Sequence, residues 1–577
     1  MTTRYSELID KFERLARTPI YALLGIAGGR LIYYSSTENV LRIWSSDLDG
    51  GDRRPISGER VTSLVKPKPE YDFLVYGRDT TKGMELTQLY LNSVYGDKEE
   101  PAIEMKPTRV IGVAMHEKKI VYTGASEKGV SIFMADLGGK AEELYTQMTL
   151  MFASDFNGKY VFGMGQLRGN PRSYEIFRYD VEKGEFTVYT PKEGSMNGPP
   201  TIYNGKVLFT SDYEGSNRLY IMDQDRLEPS LVEPPEGVEP LDYVGYGWTY
   251  TGRIWYTVNT REGYRTFIDG SEIKYSRGVV GSVNEYEDRI YINYTSFTQP
   301  NSIYRVVDGE FKPVIESRVD EDLAKMFKKT EHIWIKSIDG LEIPTYILES
   351  DAPKPGPTVI YVHGGPWSHV VDSWNTLIGS LIISGYHVVA PNFRGSTGYG
   401  SWFMKLDIGD PGGMDMEDIV AATKYAKESG LADKTAIMGY SYGGFMTFLA
   451  TVKKPDVWDV GVAGAGIVDW DLSYEMSDMF FKSFIETLFD RNEELRKDRS
   501  AIHFVDNLKV PLCIIHPQYD TRTPLKPVLN YVYKLLEKGH PFEMHIIPEM
   551  GHTISKIDDI IKIVLLAILF LNEKLKK

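Results

Sequence analysis

A chain of 577 residues is too long for one hydrophobic core, and at about 150 residues per domain it should hold two to four units. Its 42% hydrophobic and 25% charged residues are ordinary for a folded globular protein. The net charge of -15 would repel phosphate backbones and anionic lipid surfaces, so neither nucleic acid nor a membrane is expected as a partner.

The first stretch, "MTTRYSELIDKFERLARTPI", mixes acidic and basic groups and lacks the apolar core of a signal peptide. It reads as a helix capped by Ser6, with Leu8, Ile9, Phe12, Leu15 and Ala16 forming one apolar stripe that must be buried elsewhere. A β-rich phrase then recurs: "GRLIYYSS" at Gly29, "DFLVYG" at Asp72, "KKIVYTG" at Lys118, "GKYVFGMG" at Gly158, "GKVLFTS" at Gly205, "GRIWYTV" at Gly252 and "DRIYINYTS" at Asp288. The spacing of roughly 35 to 50 residues is that of a repeat unit and too short for separate sandwich domains. Each phrase has an apolar strand before it, and most have another after it, with Gly, Asp and Asn at the turns. Such units predict a seven-bladed β-propeller, in which radial repetition leaves only short strand edges.

After Glu316 the texture changes. A helix-like linker leads to two strands joined at "SIDGLE", a hairpin signal. From Thr358 strands alternate with helical patterns: "TVIYVHGG", "YHVVAPNFRG", "TAIMGYS", "VWDVGVAGAG", "PLCIIHP" and "FEMHIIPEMGH". This order predicts a mainly parallel sheet covered by helices on both faces. The expected division is a helical segment over 1–22, the propeller over 23–322 and the α/β unit over 323–577. The apolar run at 563–571 is about half the ~20 residues a bilayer span needs and reads as a buried final helix. Cys513 is the lone cysteine, which rules out an internal disulfide and suits a cytoplasmic protein.

"GYSYG", from Gly439 to Gly443, fits the G-x-S-x-G elbow, with a strand before it and a helical pattern behind. A serine hydroxyl needs a base, and the base needs a carboxylate that fixes its tautomer. In this fold those partners follow the serine in the order acid, then histidine, each beyond the C-terminal end of a strand. His552 lies in the loop after "FEMHIIP", whereas His545 lies within the strand and His540 before it. Asp520 lies in the loop after "VPLCIIHP"; Asp506 precedes that strand, and Asp558 and Asp559 break the order. Ser441, Asp520 and His552 are therefore the expected catalytic set. Negative charge on a tetrahedral intermediate needs donors fixed in advance, and the backbone N–H groups of Gly365, in "VHGGPWS", and Tyr442 are the expected pair. No Cys/His cluster has metal-ligand spacing, and no cofactor is expected.

Together "HGGP", "NFRGSTGYG", "GYSYGG", "DTRTP" and "GH" resemble the prolyl oligopeptidase family of serine peptidases, and within it the archaeal acylaminoacyl-peptidase pattern. The resemblance covers the whole length: helix, seven-unit propeller and α/β-hydrolase. It implies Ser441 as nucleophile, His552 as general base and then acid, Asp520 as the orienting carboxylate, and an N-terminal helix packed on the hydrolase domain. It also implies that Arg522 binds a substrate carbonyl, against the alternative of a surface ion pair. Trp470, Phe481 and Phe484 match an apolar substrate pocket, though they serve equally as core.

Where the dipeptidyl-peptidase branch has an oxyanion tyrosine this chain has His363, a departure that favours backbone donors. The expected substrates are short acylated peptides, with esterase activity alongside; a broader oligopeptidase, a dipeptidyl-peptidase-like enzyme and a carboxylesterase are the alternatives. Whether the chain forms a homo-oligomer is left open.

Overall fold

A computed structural model describes residues 2–126 and 128–576. Seven four-stranded antiparallel sheets occupy 21–55, 61–101, 109–147, 151–188, 201–231, 242–273 and 279–315, each with its strands in sequence order. They form the seven blades of a propeller. Every recurring phrase is the second strand of a blade, from Arg30–Ser35 in the first to Arg289–Ser296 in the seventh.

These strands are legible as apolar runs because neighbouring blades cover both faces. Val207, Leu208 and Phe209 are consecutive and all fully buried, so alternation is lost. The outer strands are the opposite case. Arg54–Pro55 and Glu100–Pro101 are two residues long and exposed, with no apolar pattern to announce them.

No strand is shared between the first and seventh blades. The ring closes by packing, with Leu23, Leu31, Tyr33 and Trp44 of the first against Tyr291, Ile303 and Ile315 of the seventh. Two hydrogen bonds add to the seam: Leu23 N–H donates to Asn293 Oδ1 at 3.3 Å, and Ser282 Oγ donates to the Leu23 carbonyl at 2.9 Å.

The remaining sheet has eight strands. Its spatial order is Lys329–Lys336, Glu342–Glu349, His387–Pro391, Gly356–Val362, Ala432–Tyr440, Val460–Gly464, Leu512–Pro517 and Phe542–Ile547. The first two are the predicted hairpin, the pairing of Glu342–Glu349 with His387–Pro391 is also antiparallel, and the rest are parallel. This is an α/β-hydrolase sheet, and its parallel strands point their C-terminal ends, and so their loops, towards one edge.

The first helix, Thr2–Ala16, starts before Ser6, which lies inside it and caps nothing. Phe12 and Ala16 enter the same apolar cluster as Leu381, Ile382, Ile568 and Leu571. The stripe is thus buried on the hydrolase unit, against Thr376–Ile383 and Ile557–Lys574. No helix among the described residues is long and apolar enough to cross a membrane.

Candidate active site

Ser441 sits between the strand Ala432–Tyr440 and the helix Tyr442–Lys453 with φ 60° and ψ -119°, a conformation side chains rarely adopt. The turn closes only because its neighbours lack side chains. A Cβ on Gly439 would come 2.5 Å from the Gly443 backbone, and one on Gly443 would come 2.0 Å from the Val362 carbonyl oxygen. The strained turn lifts the Ser441 hydroxyl to the sheet edge where the other loops gather.

His552 Nε2 lies 2.9 Å from Ser441 Oγ, and His552 Nδ1 lies 2.7 Å from Asp520 Oδ2. Asp520 is held in turn: Oδ1 accepts from the N–H groups of Arg522 and Thr523 at 3.0 and 2.8 Å, and Oδ2 accepts from Thr523 Oγ1 at 2.8 Å. Burial alone would raise the Asp520 carboxyl, but the charge and hydrogen bond of His552 outweigh it and leave Asp520 below the usual carboxylate range. Both loops are tied down by neighbours. Tyr440 Oη donates to the His552 carbonyl at 3.0 Å, and His516 Nε2 pairs with the Thr523 carbonyl at 2.7 Å.

Tyr442 opens its helix, so its N–H has no intrahelical acceptor. Its ring is buried, and the hydroxyl donates to Asp415 Oδ2 at 2.5 Å. Gly364 rather than Gly365 is packed against Ser441: a Cβ on it would stand 3.3 Å from Ser441 Cβ. Gly365, the next residue of that loop, is exposed and has φ 127°. His363 stacks on Phe393, with Nδ1 2.7 Å from the Gly364 carbonyl and Nε2 2.9 Å from Ser396 Oγ. Burial pushes it down to about 4, so near neutrality it is an uncharged support for the loop with both nitrogens engaged.

Arg522 is paired across the domains with Glu85 of the second blade, Nε to Oε2 at 3.1 Å and Nη2 to Oε1 at 2.7 Å. Arg109, from the third blade, also pairs with Glu85 and reaches Asp478 at 2.7 Å and Thr521 Oγ1 at 3.0 Å. Burial would raise Glu85, and Arg522, with Arg109 behind it, pulls it below its ordinary value. These side chains line a cavity of about 220 Å³ together with Phe480, Met550 and Thr553.

Of the three aromatic candidates, Trp470 is 1% exposed and packs between Phe445 and Phe489, each 5.0 Å away; it belongs to the core and offers a substrate no surface. Phe481 and Phe484 are half-buried, 5.1 Å apart, and Phe484 meets Trp367 of the glycine loop edge-on at 5.4 Å. Glu85, Arg109 and Asp415 were not visible as site residues. Glu85 stands 437 positions from Arg522, and no local pattern marks it.

Comparison with known proteins follows this geometry. Residues 374–577 match the family model described as the prolyl oligopeptidase family, and residues 32–304 match that of the acylamino-acid-releasing enzyme-like N-terminal domain. Dipeptidyl aminopeptidase BIII of Pseudoxanthomonas mexicana is 30% identical over 92% of this chain and 83% of its own length. The human acylamino-acid-releasing enzyme is 28% identical over 38% of this chain and 32% of its own. The uncomplexed acylaminoacyl peptidase of Pyrococcus horikoshii shares the fold, with a TM-score of 0.73 and 19% identity over 98% of each chain.

Proposed function

Because this chain belongs to the prolyl oligopeptidase family of serine peptidases, we propose that it releases N-acylated amino acids from short peptides through an acyl-enzyme on Ser441. The observation that carries this reading is the state of Glu85. It is the propeller carboxylate beside the triad, and both its oxygens are taken by guanidinium groups. A substrate ammonium would find both Glu85 oxygens already taken, whereas a neutral acyl cap needs no carboxylate. The dipeptidyl-peptidase reading is favoured by the name of the Pseudoxanthomonas relative, and it requires that this ion pair be exchanged on binding.

In the proposed reaction His552 Nε2 takes the proton of Ser441 Oγ as the oxygen attacks the scissile carbonyl. Asp520 keeps the Nδ1 proton in place and offsets the imidazolium charge that forms. The oxyanion is met by backbone N–H groups of the Gly364–Gly365 loop and of Tyr442. His552 then returns the proton to the leaving amine, and water, activated by the same ring, releases the acylated residue. Arg522 is poised to hold a substrate carbonyl on the side of the acyl cap. An activated ester should be turned over too, since it demands less of the leaving-group step.

Three substrates separate the readings: an acetyl-amino-acid anilide, a free-amine dipeptide anilide and a short acyl ester. The expected order of kcat/KM places the acetyl anilide above the free-amine anilide by about tenfold or more, with Ser441→Ala lowering all by at least about 10³-fold. Preference for the free amine would replace this reading with the dipeptidyl one. Ester turnover without anilide turnover would make the protein an esterase.

A further inference from the structure

The propeller axis contains a second cavity, of about 670 Å³, distinct in its lining from the one at Glu85. Its walls come from six blades: Leu24, Lys66, Ser154, Thr210, Tyr246 and Ser282 stand for them in order. Its mouth is on the hydrolase side. Gly398 and Gly400, from the loop that adjoins the glycine-rich oxyanion segment, line it and donate their N–H groups to Asp242 at 3.0 and 3.3 Å.

The far end is crossed by a side chain. Asp242 at the start of the strand Asp242–Trp248 faces the hydrolase, so Tyr250, beyond the end of that strand, lies roughly 20 Å away down the axis. There Tyr250 Oη accepts from the Ile26 N–H at 2.8 Å and donates to the Pro67 carbonyl at 3.0 Å, joining the sixth blade to the first and second.

Among the described residues, Lys66, next to Pro67, is the sole Lys or Arg lining this chamber. Its ammonium has no hydrogen-bond or ion-pair partner among the described residues, although its side chain is accessible. Burial lowers the Lys66 ammonium from its ordinary value and Lys68 adds a like charge, so an incoming anion would favour its charged form; Asp155, the carboxylate that acts on it, is committed to the N–H groups of Phe156 and Ile202 at 2.9 and 2.8 Å and to Thr201 Oγ1 at 3.3 Å. Asp242, the carboxylate at the mouth, is likewise spent on the two glycine donors, the Tyr243 N–H and Asn217. That end of the chamber therefore presents one cation without a partner among the described residues.

We propose that Lys66 receives the free C-terminal carboxylate of a peptide substrate whose leaving-group side runs down the propeller axis. The inference rests on the acyl-peptidase reading above and specifies its substrate. An N-acylated peptide has lost its terminal ammonium, so its C-terminal carboxylate is the one charge every such peptide keeps whatever its sequence. An extended chain advances about 3.3 Å per residue, so reaching Lys66 from the hydrolase face takes roughly five or six residues. The span from the hydrolase face to Lys66 then favours peptides of that length.

Binding without turnover tests this. Ser441→Ala protein is titrated calorimetrically with acetylated peptides of two lengths, two residues and about seven, each as the free acid and as the C-terminal amide. The long acid is expected to bind about fivefold to tenfold more tightly than the long amide, the scale of one charge-assisted hydrogen bond partly screened by water. The short pair should show no such ratio. Adding Lys66→Gln should bring the long-peptide ratio to about one, and Lys66→Glu should invert it; melting temperatures establish that both variants fold.

Equal binding of the long acid and amide, a ratio that survives Lys66→Gln, a ratio independent of length, or no binding at all would each overturn the assignment. The hydrolytic reading is judged apart from it, by the anilide assay on the unsubstituted protein.

Discussion

At the scale of single residues, the Ser441 hydroxyl is less informative than the groups that hold its surroundings. Tyr442 lies beside Ser441 in sequence, yet its ring runs back into the hydrolase core to Asp415, a fully buried carboxylate that also accepts the Gly412 and Met416 N–H groups. Burial raises Asp415 to about 7, against the hydrogen bonds of Tyr442 and Gly412, which favour its charged form. The folded state thus binds this proton more tightly than the unfolded chain. The stability it contributes is complete below the ordinary carboxylate range and is lost as pH rises to about 7.

Asp415→Asn keeps an acceptor for the Tyr442 hydroxyl and removes the titration. Its melting temperature should hold steadier than the parent's between about pH 4 and about pH 7, with the variant gaining on the parent at the upper end. Asp407 and Asp418 are raised in the same direction and remain in both proteins; because the Asp415 charge helps to raise Asp407, the difference reports Asp415 together with its effect on Asp407. Melting curves of both proteins across that window check it, and parallel pH profiles would dispose of the idea. The triad residues could be named from local spacing because each stands in a loop beyond a strand, a pattern carried within about ten residues of chain. Asp415 and Glu85 gave no such sign, since what defines them is a partner that only folding brings near.

Elements show the same division. Second strands of the blades were readable from runs such as "GKVLFTS" because two covered faces demand apolar residues throughout, whereas outer strands such as Ser230–Leu231 carry too little burial to write a pattern. The first helix was readable as amphipathic, but its start was misplaced: Ser6 has the chemistry of a cap, while the helix already runs from Thr2. What its stripe packs on could be inferred only from family resemblance.

The packing suggests a sharp contrast between its two faces. Phe12 is fully buried among Leu381, Ile382 and Ile568, and truncating it leaves a cavity that costs about 3 to 5 kcal/mol. Arg14, by contrast, reaches Asp320 and Asp322 at the solvent boundary, where water competes for both charges. In calorimetric unfolding Phe12→Ala should lower the hydrolase transition by several degrees, whereas Arg14→Ala should scarcely move it. Equal shifts would mean that the helix is held by its ion pairs rather than its stripe.

For the molecule as a whole, the ring must close without a shared strand, and this could not be read from the repeats, which fix the number of blades and not how the last meets the first. Most neighbouring blades are tied by a short connection; no such connection ties the first to the seventh, so their seam depends on Tyr21, Leu23 and Tyr33 packing on Tyr291 and Ile303 and on the two hydrogen bonds at Leu23. An equivalent seam between the fourth and fifth blades contains Ile176 with Phe162, Val207 and Phe209, and there the chain itself limits opening.

Ile303 and Ile176 are both fully buried, so either change to Ala should cost about 2 to 5 kcal/mol. The consequences should differ in place. Ile303→Ala should speed amide exchange selectively in Tyr21–Ala27 and Gln299–Val307, because the untied edge can part while other blades stay folded; Ile176→Ala should show no matching local opening of its seam. Hydrogen exchange read by mass spectrometry distinguishes them, and uniform acceleration around the ring in both variants would rule out a weak seam. If the seam does open locally, it gives the axial chamber a lateral route, and a peptide could then reach Lys66 without passing the mouth on the hydrolase side.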